Sequence, residues 1–226
     1  MPEVPVIGAR LETYRGRAEA ALAMLFDGEL VGRADSRLRE AMRERTLVRV
    51  WRENLEPGSF TGYIATVGQD RFLLWALGDY IGFDGLFVLR YRDVTRLETP
   101  DHHADFLEKA ITLRGLTPEL PITFPLDDLQ QILVAAAERA PAMSIYVDTE
   151  AENEICYIGK LLGFEADGFT VQEVSPHAEW LREPSFFGWD EVSCISMNEP
   201  YALALCEVAG TPPALEKTSI DTRTKH

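Results

Sequence analysis

The chain has 226 residues, 46% hydrophobic and 26% charged, with 22 Lys+Arg against 37 Asp+Glu for a formal charge of −15. That is enough apolar material for one large or two small cores. The acidic balance disfavours nucleic acid, whose binders gain most of their affinity by neutralising phosphates, and disfavours anionic membrane surfaces for the same reason.

Residues 1–34 form the first segment, where Leu11, Tyr14, Ala18, Leu22, Leu25 and Phe26 make an apolar stripe at helical spacing. Met1 to Arg10 lacks the charged start, apolar core and cleavage site of a secretory leader, and no stretch approaches the roughly twenty apolar residues of a membrane span, so neither is expected. The expected location is the cytoplasm. Residues 35–115 form a first unit. Asp35-Ser36 open a helix with Leu38, Ala41 and Met42 inward and Arg37, Arg39, Arg43 and Arg45 outward. Alternating apolar residues then predict strands around Val48 and Val50, Phe60 to Ile64, and Phe72 to Ala76, followed by Leu86 to Tyr91 and Val94 to Leu97. Pro100-Asp101 begin a helix carrying Phe106, Leu107, Ala110 and Ile111.

Residues 116–125 are a proline-bearing linker with Pro118, Pro121 and Pro125. A second unit spans 126–210. Asp127, with Gln130 three residues on, starts a helix through Leu129, Ile132, Leu133, Ala136 and Ala137 that Pro141 stops. Strands follow from Ile145 onward, ending in Ser185 to Trp189 and Val192 to Ile195, and Glu199-Pro200 begin a helix with Tyr201, Leu205 and Val208 that Gly210 closes. Residues 211–226 are a polar tail.

The two units repeat. Gly62, Asp70 and Phe72 recur as Gly159, Asp167 and Phe169, 97 positions apart (159 − 62), and the same spacing sets Val48 and Val50 against Ile145 and Val147. After a longer loop the spacing becomes 98 (192 − 94), one inserted residue. The turns Gly68-Gln69-Asp70-Arg71 and Glu165-Ala166-Asp167-Gly168 close hairpins through residues that tolerate positive φ. Five short strands in about fifty residues bury one face most economically by closing into a small barrel. The expected fold class is therefore mainly β with flanking helices (α+β), as two tandem five-stranded barrels.

An N-terminal helix before five bent strands, with Gly62-Tyr63-Ile64 and Gly159-Lys160-Leu161 in the second strand, resembles the Sm-like small barrels, including bacterial ones of unassigned role. The resemblance covers residues 35–98 and 127–196 and implies that fold. It does not extend to the RNA pocket of Sm and Hfq-type proteins: the turn asparagine and the basic residue followed by glycine are replaced by Gln69-Asp70-Arg71 with Arg90-Tyr91, and by Ala166-Asp167-Gly168 with Gly188-Trp189.

No seryl nucleophile motif, phosphate-cradling glycine loop or dinucleotide fingerprint occurs, so no catalytic residue and no cofactor is expected. His102-His103 with Asp105 lack a third ligand at metal spacing, and Asp101 there caps the helix entrance. Asp70 and Asp167 are turn residues. Cys156, Cys194 and Cys206 read as small hydrophobes without disulfides. Trp51, Trp75 and Trp189 read as core plugs.

Two candidate sites remain. The loops joining strands three and four mix acids with large aromatics, and Tyr80, Phe83, Asp84, His177 and Trp180 are candidates for a protein interface or, alternatively, for folding back over the barrel mouth. A basic cluster runs from Arg37 to Arg52, with Arg39, Arg43 and Arg49 central, either as an RNA contact or as a solvated helix face mixed with Glu40 and Glu44. The leading expectation is a non-enzymatic protein-binding or scaffold protein, an internal pseudo-dimer able to form a homo-oligomer. An RNA-binding protein using the arginines, and an enzyme with a site between the barrels, are the alternatives.

Overall fold

The computed structural model describes residues 34–148 and 154–215. The apolar stripe of residues 11–26 lies outside them. Within them are ten strands and four helices: α1 (residues 34–44), β1 (Leu47–Trp51), β2 (Ser59–Val67), β3 (Arg71–Leu77), β4 (Phe83–Arg90), β5 (Arg96–Glu98), α2 (Ala104–Leu113), α3 (Leu129–Arg139), β6 (Met143–Val147), β7 (Ile155–Phe164), β8 (Gly168–Glu173), β9 (Ser185–Gly188), β10 (Val192–Met197) and α4 (Pro200–Ala209).

All ten strands belong to one open sheet, ordered β5-β1-β2-β3-β4-β10-β6-β7-β8-β9, with every neighbouring pair antiparallel. The pairing order of the first five strands recurs in the last five. No pairing closes either set into a barrel of its own; instead β4 pairs with β10, Leu89 opposite Cys194 through Leu86 opposite Met197. The free edge that closure was expected to remove is covered by the other half of the chain.

Local chemistry sets the hairpins where the turn residues placed them. Gly68 N–H donates to Arg71 O at 2.8 Å and Glu165 N–H to Gly168 O at 2.8 Å, closing β2 on β3 and β7 on β8. A Cβ on Gly62 would lie 2.2 Å from the Trp75 carbonyl oxygen, and one on Gly159 2.4 Å from a Val171 methyl. Both glycines are thus required by close approach of the third strand. The register then shifts between Ile64 and Thr66 and between Leu161 and Gly163, which bends each second strand.

The first strands align differently from the sequence spacing. Val48 faces Gly62, whereas Met143, not Ile145, faces Gly159. Two extra residues in the β6–β7 connection cause the slip, and because two is the side-chain period of a strand the same face stays inward. Other boundaries move too: β4 starts at Phe83, taking Asp84 into the strand, β5 is only Arg96–Glu98, and α2 starts at Ala104 rather than near Pro100. Phe106, Tyr201 and Val208 are exposed; the buried faces of α2 and α4 are Ile111, and Ala202, Leu205 and Cys206. The α3 cap is Asp128, whose side chain accepts from Gln131 N–H at 2.8 Å; Asp127 instead accepts from Gln69 N–H at 3.1 Å, tying α3 to the β2–β3 turn.

Each helix–sheet layer has its own core. Leu38 and Ala41 of α1 pack with Val48, Val50, Phe72, Leu74 and Leu89. Ile132, Leu133 and Ala136 of α3 pack with Met143, Ile145, Phe169, Val171 and Phe187. Leu73, Leu86 and Val88, on the opposite face of β3 and β4, join this second cluster and bind the two halves together. At about 1.5–3 kcal/mol for each fully buried large aliphatic side chain, these three alone make the halves strongly interdependent.

Candidate functional site

The residues singled out in the sequence fall into separate places. Phe83 stacks on Trp75 with ring centroids 4.1 Å apart, packed against a small cluster with Leu47, Tyr63 and Ile111. Tyr80 is exposed, and its hydroxyl donates to Phe83 O at 2.9 Å. Burial pushes the Asp84 carboxyl up, with Tyr80 opposing and Asp79 adding to the shift. Trp180 donates its indole N–H to Gly210 O at 2.9 Å, past the end of α4, while His177 is exposed. The aromatic loops are thus largely folded back on the protein: a small core has few other large apolar groups to cover it.

The arginine run is dispersed. Arg39 is held by Asp35 at 2.8 Å and donates to Gly68 O at 2.9 Å, Arg37 donates to Leu97 O at 3.2 Å, and Arg45 to Leu120 O at 3.0 Å. Arg43 is exposed. Arg52 is wholly buried at the seam, bonded to Glu56 at 2.6 Å and Glu154 at 2.8 Å, with its guanidinium 5.3 Å from the Phe60 ring centroid. It joins the two halves, and its guanidinium fills the space between the acids. Burial pushes the Glu154 carboxyl up even with Arg52 and Ser193 opposing.

Arg49 leads to the most informative comparison in the molecule. It faces Thr61 on β2 and Glu98 on β5. Its Nε donates to Asp101 Oδ2 at 2.7 Å; the same oxygen accepts from the Thr61 hydroxyl at 3.2 Å, and Oδ1 from His103 N–H at 2.6 Å. The Asp101 side chain is 0% exposed. Burial works against its charge, but the His103 amide, Arg49 and Thr61 outweigh it and hold the carboxyl below its ordinary value.

In the second half Ser144 stands where Arg49 stands, facing Ile158 on β7 and Ser196 on β10. Three residues beyond Ser196 is Glu199, as Asp101 is three beyond Glu98. Glu199 Oε1 accepts from Ser144 Oγ at 2.5 Å and from Ser196 Oγ, and Oε2 accepts from Tyr146 OH at 3.2 Å. No cation pairs with it among the described residues. Beside it is a cavity of about 480 Å3, lined by Ser144, Tyr146, Cys156, Tyr157, Glu173 and Leu181 among others, with no basic residue among the described residues of its wall. Although Cys156 is exposed as a residue, its thiol turns toward Tyr146 and Ser144, and burial followed by the Glu199 carboxylate pushes its pKa up to about 11. Such a thiol stays protonated and is a weak nucleophile.

A second cavity, about 330 Å3, lies at the seam and is lined by Asp70, Arg71, Arg90, Arg92, Trp189 and Asp190. Arg90 is bonded to Asp93 and to Val192 O, and Asp70, Asp93 and Asp190 balance the three guanidiniums. Burial and the Arg90 charge push the Arg71 pKa down. The residues that sequence reasoning missed are Glu199, Ser144 and Tyr146; the only signal for them was a charge difference between aligned strands, hidden by the two-residue slip.

Among the described residues no group of three His, Cys, Asp or Glu could hold a metal ion, and no helix is long and apolar enough to cross a membrane. No family model, curated protein or solved structure matches the chain.

Proposed function

We propose that this is a cytoplasmic, non-enzymatic scaffold protein that binds another protein, built from two five-strand units of Sm-like strand order fused edge to edge as an internal pseudo-dimer. The observation that carries the reading is the sheet order: two five-strand sets of the same order, joined edge to edge through β4 and β10, leave one strand without a further partner at each end among the described residues. The two ends differ. At β5 the strand has three residues, Arg37 occupies the Leu97 carbonyl, and Pro100 follows without an N–H to donate. At β9 the exposed Phe186 lies one strand beyond Thr170, and exposed Leu162 sits at the β7 register shift. The β9 end is therefore the docking edge, where an added strand, from a partner or from a second copy, gains main-chain hydrogen bonds and covers apolar side chains.

The RNA-binding alternative gains nothing from Arg37, Arg39, Arg45, Arg49 and Arg52, whose guanidiniums are engaged within the chain. The test is affinity capture from native cells with wild type and Phe186→Asp, with mass spectrometry and nucleic-acid quantitation on the same eluates. A stoichiometric protein retained by wild type and lost by the variant supports the scaffold reading. Stoichiometric RNA, or a partner indifferent to Phe186, overturns it.

A further inference from the structure

We propose that the cavity beside Glu199 binds an organic cation of the alkylguanidinium or alkylammonium class, whose charged head takes the place that Arg49 fills beside Asp101 in the first half. The argument rests on two equivalent positions with opposite solutions. In both halves a carboxylate lies three residues beyond the fifth-strand residue that faces Arg49 or Ser144, just before a helix, and reaches back over the first strand. Both acids share the favourable end of a helix dipole, so that term does not distinguish them. What differs is the facing residue: a guanidinium at 2.7 Å from Asp101, and a serine hydroxyl at 2.5 Å from Glu199.

Replacing Arg by Ser removes a charge and a volume together. The missing volume is open: the cavity reaches Ser144, Tyr146 and Glu199 themselves. Among the described residues no other side chain supplies the missing charge: three hydroxyls donate to the carboxylate without neutralising it. A carboxylate offers about four acceptor sites, and here three are taken, with Tyr146 alone on Oε2. The remaining site on Oε2 is available to an N–H donor from the cavity. Tyr157 and Tyr201 in the wall are aromatic residues of the kind that attract cations, and Ile158, Val174 and Leu205 suit an alkyl chain behind the head. Hydroxyls fixed in advance on the carboxylate mean that binding orders few side chains. This inference does not depend on the scaffold reading, because the cavity lies under α4 rather than at the β9 edge.

Agmatine, butylguanidinium and the neutral isostere butylurea are the probes, titrated into the full chain by calorimetry at low ionic strength, with a capped Ala-Arg-Ala peptide as a further arm. Agmatine or butylguanidinium is expected to bind at least tenfold more tightly than butylurea. Binding strongest for agmatine or butylguanidinium marks a small-molecule ligand; binding strongest for the peptide marks an arginine presented by a partner. Glu199→Gln is expected to weaken cation binding at least tenfold. Ser144→Arg rebuilds the first half's solution within the second and is expected to abolish binding while raising Tm, which separates loss of the site from loss of the fold. Equal binding of cation and urea, or cation affinity unchanged in Ser144→Arg, overturns the proposal.

Discussion

The Asp101 and Glu199 sites are the same position solved twice, once with an internal cation and once without. Near Asp101 the chain supplies its own counter-charge to a fully buried side chain; near Glu199 the described residues supply only hydroxyls, and a cavity opens. A buried carboxylate that is paired and hydrogen-bonded, like Asp101, is a structural fixture, whereas the half-buried Glu199, left with unfilled acceptor capacity beside a cavity, is a place for something to bind.

The contrast is most sharply broken by Arg49→Ala, which leaves Asp101 buried and uncompensated. It is expected to cost about 3 kcal/mol in urea denaturation. Ser144→Ala, the matching change in the second half, is expected to cost only about 1 kcal/mol, so near-equal losses would erase the distinction. Next comes pH. A carboxyl lowered in the folded state contributes stability that is complete above its unfolded pKa, about 3.9, and is lost as pH falls through the lower folded value. The difference in stability between wild type and Asp101→Asn should therefore be flat above about pH 5 and shrink below about pH 4; a difference that grows on acidification would show that Asp101 is not held ionised. Asp128→Ala removes the one side-chain cap found among α2, α3 and α4, with an expected cost of about 1 kcal/mol read by the same denaturation. Smallest is Tyr146→Phe, which deletes a single 3.2 Å bond to Glu199, with about 0.5 kcal/mol expected.

What could be read in the sequence was what neighbouring residues decide together. The turns at Asp70 and Asp167 depend on four residues each, and α3 depends on a cap and a 3.6-residue stripe. Gly62 and Gly159 were legible as special, although the reason is a carbonyl and a methyl on the neighbouring strand rather than the bend itself. The pairs that matter most span the chain: Arg49 and Asp101 are 52 positions apart, and Arg52 and Glu154 are 102 apart. Arg49 and Arg52 looked like members of one basic face because a strand shows nothing in its own sequence of which long side chains meet distant acids. Closure into separate barrels follows from the need to cover free edges; the chain instead covers one edge of each half, at β4 and β10, by a route that depends on the second half and leaves no local trace.

The junction between β4 and β10 places the last of the described strands in the middle of the sheet. β4 ends at Arg90 and β10 begins at Val192, 102 positions later (192 − 90). During synthesis the first half can collapse around α1, yet its fourth strand remains an open template until nearly the whole second half has left the ribosome. A product truncated before Val192 would present that bare template to its neighbours, so translational pausing in this interval exposes the protein to misassembly with its own nascent copies.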